Sequence, residues 1–486
     1  VTSSLKKTMR HLWNRDGGYR ELLVIALPLI ASTSSWSVQH FVDRMFLTWY
    51  SSETVAAAMP AGLLSFTISC IFMGTASYVG TFTAQYYGAR RPKRCGPSLW
   101  QGLYVALLGG IVQLMFIPSA AALFSFVGHS PEIREYETLY FSILCCGGFF
   151  IIASSAMAGF LSGLGRTWPI MWVNLISTAI NLFLDWLLIF GNWGFPEMGI
   201  GGAGIATIVS LAANFIMYGL IIFRNRYETT FGTLSGWRFD MMLFRRLIRY
   251  GFPSGLQFFI DNTGFTVFTL IMGRLGTDAL AATTIALNIS TLAFMPMIGV
   301  GIAASVLVGR RLGENRPSLA VTSTWTAFSL TFSYMLALSL IYLFLPGLVI
   351  APFAWSADLE SFTPIAALAV VLLRFVAVYS LFDTLNIIFS SALKGAGDTR
   401  FVMIATLVLT LGILVLPSFA AVFVFSAGLY ALWTVASLYI AAIGCVFLVR
   451  FLGGAWKSMR VIEEAPVIVP PTLPEAPTSI TTAGGS

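Results

Sequence analysis

Four aspartates, Asp43, Asp185, Asp261 and Asp383, stand inside long apolar runs of this 486-residue chain. An aspartate at the centre of a bilayer-crossing helix costs about 2.5–3.5 kcal/mol on insertion scales, so four of them require a role. Each lies in its own polar stripe. At 100° per residue, Asn174, Thr178, Asn181 and Asp185 fall within roughly 60° of one helix face. Gln39 precedes Asp43 by one turn, Gln257 precedes Asp261 by one turn, and Asn386 and Ser390 follow Asp383. Carboxylates flanked by amide and hydroxyl oxygens suit a proton relay or a hard cation such as Na+. Arg374 differs in sign and reads as a partner for a carboxylate; His40, near Asp43, reads as a satisfied or interfacial side chain. Aromatic residues could line a site for flat cations, although lipid contact and interfacial anchoring account for most of them.

The elements that must position these groups follow from composition. The chain is 57% hydrophobic and 10% charged, against about 25% charged residues in soluble domains. It is therefore an integral membrane protein. Twelve apolar runs are long enough to span ~30 Å of hydrocarbon: 21–50, 54–87, 98–127, 138–163, 168–190, 203–223, 247–273, 279–309, 318–350, 363–393, 401–424 and 427–452. None alternates with period two, which excludes a barrel and predicts an all-α bundle of twelve transmembrane helices. Residues 1–20 are polar and basic, without the pattern of a cleavable signal peptide. The last stretch, Pro466 to Ser486, rich in Pro, Thr, Ala and Gly, reads as a disordered tail.

All but Arg44, Arg134, Arg274 and Arg374 of the 28 Lys and Arg fall in the segments on one side of such a topology. The opposite segments carry Glu53, Glu132, Glu135, Glu137, Glu197, Asp278, Asp358 and Glu360. This asymmetry predicts both termini in the cytoplasm. The net charge of +7 then reports topology and contact with anionic lipid, not a nucleic-acid partner. The five cysteines show no CxxC spacing and read as small apolar residues rather than ligands or disulfides.

The chain also repeats itself. Pro28 and Pro253, Glu53 and Asp278, Gly88 and Gly313, and Pro92 and Pro317 each differ by 225, while Gly163/Gly395, Gly165/Gly397 and Thr167/Thr399 differ by 232. Several coincidences in order at nearly one offset mean duplication. Six spans per half give both halves one orientation, related by an axis along the membrane normal, with substrate bound between them. The expected organisation is a cytoplasmic arm (1–20), an N-lobe (21–223), a cytoplasmic linker (224–246), a C-lobe (247–452) and a cytoplasmic, largely disordered tail (453–486). The acids do not follow the repeat: Asp43 maps onto Phe268, Asp185 onto Pro417 and Asp261 onto Trp36. Different chemistry on two copies of a scaffold suggests divided roles.

"GIGGAG" at 199–204 formally matches G-x-G-x-x-G, but it follows a turn and opens a membrane helix with no strand before it. It does not cradle a dinucleotide. Close helix packing accounts for its glycines. No P-loop, HExxH or GxSxG is present.

"SGLGRTWPIMWVNLISTAINLFLDWLLIFGNWGFPEMGIGGAGIAT" (162–207) closely resembles the central signature of the multidrug and toxic compound extrusion (MATE) family of the MOP flippase superfamily. "VDRMFL" with "VAAA" resembles its first helix and "LVGRRLGENR" its eighth; the similarity runs from about residue 20 to 450. The resemblance implies a two-lobe, twelve-helix exporter of organic cations in exchange for H+ or Na+. It implies that Asp43, Asn181 and Asp185, with Asn174 as a neighbour, form the N-lobe coupling-ion site. Asp261, with Gln257 beside it, falls where sodium-coupled members have a glutamate. Asp383, followed by Asn386, matches the tenth-helix aspartate of that branch. The C-lobe set binds ion or substrate, and Na+ fits either Asp43/Asp185 or Asp261/Asp383. Arg374 has no counterpart.

The expected function is a secondary multidrug antiporter, not an enzyme. It uses no cofactor beyond the coupling cation and works by alternating access, with Pro28 and Pro253 as hinges. It is expected as a monomer in the bacterial inner membrane. A flippase for lipid-linked saccharide is the nearest rival and would want a wide basic cavity, against which the scarcity of intramembrane Lys and Arg argues. A lipid-modifying enzyme would need clustered His, Asp or Glu at one interface. A channel fits unlike acids in the two halves less well than exchange does.

Overall fold

A computed structural model describes residues 13–127, 129–354 and 359–463. These residues form helices α1 (Tyr19–Tyr50), α2 (Ser52–Ser77), α3 (Val79–Gly88), α4 (Cys95–Phe116), α5 (Ala120–Val127), α6 (Pro131–Cys146), α7 (Gly148–Gly163), α8 (Trp168–Ile189) and α9 (Gly199–Ile222) in the first half. A short helix, α10 (Asn225–Phe231), lies in the linker. The second half holds α11 (Met241–Met272), α12 (Thr277–Gly313), α13 (Pro317–Phe344), α14 (Pro346–Ala354), α15 (Leu359–Ala396), α16 (Thr399–Leu409), α17 (Leu416–Phe423) and α18 (Leu429–Leu452). No strand occurs among the described residues. Most of the expected tail and residues 1–12 of the arm lie outside them.

Ten helical spans are long and apolar enough to cross a membrane, and an eleventh results if α6 and α7, bent by 44° at their junction, count as one. Twelve were expected. The remaining run is α11, a continuous helix of 32 residues, about 48 Å at 1.5 Å per residue. Its length suffices, but Gln257, Asp261 and Asn262 interrupt its apolar run. One expected loop acid is also corrected: Glu137 is fully buried on α6, where one carboxylate oxygen lies 2.8 Å from Nδ1 of His129.

Local chemistry sets the helix ends. Ser51 accepts a hydrogen bond from the Thr54 amide at 3.2 Å and Asp240 from the Leu243 amide at 3.1 Å, each opening a helix. The aligned glycines Gly165 and Gly397 both reverse the chain with positive φ, +73° and +107°. The basic turns also match in detail: Arg90 and Asn315, 225 apart, share φ 58°, rare for residues with a Cβ.

The two halves meet along a seam with twofold pseudosymmetry. α1 packs antiparallel against α12, and α2, its partner under the repeat, packs likewise against α11. Gly88 abuts the Arg310 backbone while Gly313 abuts that of Gln85; Gly299 abuts Ile30 while Gly74 abuts Gly255. Adding 225 to one member of each pair generates the other, as an axis along the helix direction requires.

Among the described residues, the hydrogen bonds, ion pairs and ring contacts that cross this seam lie toward one end of the bundle, the one carrying the basic turns. There Tyr19 meets Ser329 at 2.8 Å, Arg311 meets Glu21 at 2.7 Å and Thr33 donates to the Met295 carbonyl at 3.0 Å. The highest crossing, Asn262 to Thr67 at 3.3 Å, marks a floor. Beyond it no such contact joins the halves among the described residues, as expected of a cleft between them. Pro28 and Pro253 both lie buried within unbroken helices in the seam's basic half.

The segment after α18 turns back across the basic end as a strap. Trp456 stacks on Phe451, the Val461 amide donates to Oε1 of Gln85 at 2.9 Å, and Glu463 meets Arg91 at 2.9 Å, Arg94 at 3.3 Å and Arg246 at 3.7 Å. The Tyr86 hydroxyl donates to the same carboxylate at 2.6 Å.

Candidate functional site

α1 and α8 pack together and bring Asp43 to Asp185. Their carboxyl groups are neighbours, and Tyr140 of α6 stands within electrostatic reach of both. Asn181 and Asp185 are 0% exposed and Asp43 is 9% exposed. Neither carboxylate oxygen of Asp185, neither amide atom of Asn181, nor Oδ1 of Asp43 has a hydrogen-bond partner. Buried polar atoms are nearly always paired, so five orphans on three neighbouring side chains describe a site for something else. Two carboxylates facing each other away from water need a cation between them. The donors are hard oxygens, three on carboxylates and one on an amide, and they fit a proton or Na+ equally.

Asn174, expected beside them, sits two turns nearer the basic end in a network of its own. Its Oδ1 accepts from Asn214 at 2.8 Å and from Tyr218 at 3.2 Å, and its amide donates to Ser32. That side chain ties α1, α8 and α9 together and has no oxygen left unpaired. Thr178 donates to Gln39 at 3.4 Å between the two levels. His40 is exposed and stands edge-on to Trp36, ring centroids 5.0 Å apart.

The second-half acids are built differently. Asp261 accepts from Gln257 at 3.0 Å and Asp383 from Asn386 at 3.0 Å, each amide coming from the acid's own helix one turn away. Asp383 is buried, Asp261 is half-buried at the cleft floor beside Asn262, and the two lie within electrostatic reach. Near them the chain forms a π-helical turn, Thr410–Val415, between α16 and α17; Thr410 there contacts the Tyr439 hydroxyl at 3.0 Å. Such turns often mark functional sites. Rings line the floor: Phe66 meets Phe258 across the halves at 5.9 Å, and Trp36 packs on Phe66 within the first half at 5.4 Å.

Arg374 is exposed on α15, and none of the ion pairs among the described residues includes it. Lys394, counted from sequence among the loop cations, lies instead inside α15, half-buried and within electrostatic reach of Asp261. Its distance of 11 residues from Asp383 was the available signal, since that spacing returns to the same helix face.

The MatE family model matches residues 28–187 and 253–419, more than half the chain and once in each repeat. The chain belongs to the MatE family. MatE proteins are membrane transporters, and this multi-pass chain is a transporter rather than an enzyme. It is 27% identical over 390 residues to a probable multidrug resistance protein NorM of Xylella fastidiosa, covering 80% of this chain and 82% of the relative. It is 25% identical over 449 residues to a probable NorM of Thermotoga maritima, covering 91% and 94%. Its fold superposes with TM-score 0.82 on an outward-facing MATE family multidrug resistance transporter of the MOP superfamily, at 22% identity, covering 92% of this chain and 98% of that one. The two MatE segments hold all four membrane aspartates, one pair in each.

Proposed function

We propose that this chain is a multidrug efflux antiporter that exports organic cations and other xenobiotics in exchange for H+ or Na+ by alternating access. The observation that carries this reading is the Asp43–Asp185 pair, buried beside the cleft with its oxygens unpartnered. The relatives named for multidrug resistance support the substrate class.

With the basic end in the cytoplasm, as the charge asymmetry predicts, the cleft faces outward across the plasma membrane and the seam closes the cytoplasmic side. Facing out, Asp43 and Asp185 accept the coupling cation, and the pair, its negative charge reduced, can be enclosed at lower cost when the cleft shuts. Facing in, the same pair gives the cation up and stands charged. It then attracts a cationic substrate, whose flat face Trp36, Phe66 and Phe258 are placed to cover. Pro28 and Pro253, matched across the seam, permit the helices to bend as the halves rock. Asp261 and Asp383, solvated by their own amides, supply a second negative locus for ion or substrate.

The test is transport of a fluorescent organic cation by protein reconstituted in liposomes, under an imposed proton gradient and then a sodium gradient. Movement driven by one gradient and lost in Asp185→Asn supports the reading and names the ion. Movement under neither gradient refutes it.

A further inference from the structure

The strap after α18 holds a different half of the molecule with each end of a single residue. The Val461 amide donates to Oε1 of Gln85, on α3 of the first half, at 2.9 Å, and the Val461 carbonyl accepts from Arg246, on α11 of the second half, at 3.2 Å. Val461 and Gln85 are fully buried, and the Gln85 amide nitrogen donates in turn to the Gly395 carbonyl of α15 at 3.1 Å. Two residues on, the Glu463 carboxylate repeats the arrangement with charge. It meets Arg91, Arg94 and the Tyr86 hydroxyl of the first half, and Arg246 of the second. Before Val461 the strap is fixed to its own half: Trp456 donates to the Phe451 carbonyl at 2.8 Å and Arg460 to Asn315 at 3.3 Å.

No slack separates these holds. The nitrogen and the carbonyl carbon of one residue are joined through a single Cα, so Val461 cannot follow two halves that move apart. The basic end therefore opens only if the strap lets go of one half. Its covalent root in α18 and its Trp456 anchor keep it with the second, so the first is the one it must release. The carboxylate matters beyond its own bonds. Arg94 also has Asp240, at 3.4 Å, but Arg91 and Arg246 pair with no other acid among the described residues. Without Glu463, two guanidiniums on opposite halves would repel each other and favour parting of the seam.

We propose that the strap is a latch on the basic end, and that Arg91, Arg94 and Tyr86 form a site on the first half for a ligand carried by the chain itself, the Glu463 carboxylate. Seated, it holds the halves together on that side; inward opening requires it to leave, and closing returns it. This deepens the alternating-access reading, on which it rests, by naming a contact that sets how often the basic end opens.

The test is a distance across the basic end, measured by double electron–electron resonance in the full chain reconstituted in lipid. Spin labels go on Lys93→Cys and Ser318→Cys, exposed positions 225 apart, one in each half, with the exposed Cys146 and Cys445 replaced by serine. In the otherwise wild-type chain the short distance should dominate. Glu463→Ala should raise the ratio of long to short distance roughly tenfold, as for loss of a charge-assisted set of hydrogen bonds; the short distance that persists shows that the variant is folded. Arg460→Ala, which removes strap bonds confined to the second half, should leave the ratio unchanged. An equal ratio with and without the Glu463 carboxylate, or an equal rise in Arg460→Ala, would overturn the latch alone. A long distance absent from every sample would overturn the latch together with the rocking of the halves.

Discussion

Gly88 of one half lies directly against the backbone of Arg310 of the other, and its repeat equivalent Gly313 lies against Gln85, the repeat equivalent of Arg310. A Cβ at either glycine would run into backbone that cannot swing aside. Gly88→Ala and Gly313→Ala should therefore wedge the seam, at a cost of roughly 1–3 kcal/mol as for other overpacked sites. The loss falls on the conformation with the basic end shut. A thiol placed in the seam, such as Thr33→Cys, should become more reactive to a polar maleimide added from the basic side. Unchanged labelling would count against a seam that opens.

Asp185→Asn should uncouple and stabilise at once. It removes a fully buried charge with no partner, and replacing buried charge that lacks full pairing is neutral or stabilising by roughly 1–3 kcal/mol. Gradient-driven transport should fall at least tenfold while the melting temperature holds or rises. Loss of transport through misfolding would instead lower the melting temperature.

Asn174→Ala should behave in the opposite way. The amide bonds Ser32, Asn214 and Tyr218, and its removal leaves buried polar groups unpaired, at about 1–3 kcal/mol each before relaxation. Stability should drop while the choice of coupling ion stays that of the wild type, as measured in liposomes under the two gradients.

Glu463 makes the strap sensitive to acid. Burial works to raise its carboxyl, but the Tyr86 hydroxyl and the Arg94 and Arg91 guanidiniums outweigh burial and hold it below the ordinary glutamate range. A group whose folded pKa is depressed contributes stability above its unfolded pKa and loses it as pH falls through the folded one. The strap's contribution should thus be complete near neutrality and vanish in the acid range below the usual glutamate pKa. Glu463→Gln should melt earlier than wild type at pH 7, with the gap closing as the solution is acidified. A gap that does not change with pH would remove Glu463 as the cause.

The apolar runs predicted most helices to within a few residues, because in a bilayer length and hydrophobicity leave few alternatives. The polar stripe from Thr178 to Asp185 likewise placed Asn181 and Asp185 on one buried face. Features that depend on contacts distant in sequence were not legible. The α6–α7 bend, the π-helical turn at 410–415 and the burial of Glu137 arise from packing against other helices. Lys394 reads as a loop cation because Gly395 and Gly397 follow it, although its helix runs on to Ala396. Tyr140 carries no signal of its own in an apolar run; only the packing of α6 against α2 and α9 brings it near the α1–α8 pair. Asn174 shares its stripe with the acids, yet helical rise sets it about 10 Å from Asn181, among different partners.

The backbone-to-backbone seam has a consequence for how such a protein can change over generations. Where the halves dock through glycines, the docking geometry is written in main-chain atoms, which drift elsewhere in the sequence does not alter. Side chains lining the cleft can then be exchanged freely while the docking of the two halves is inherited intact. A lineage of transporters can thus redirect what it carries without having to re-invent how its halves meet.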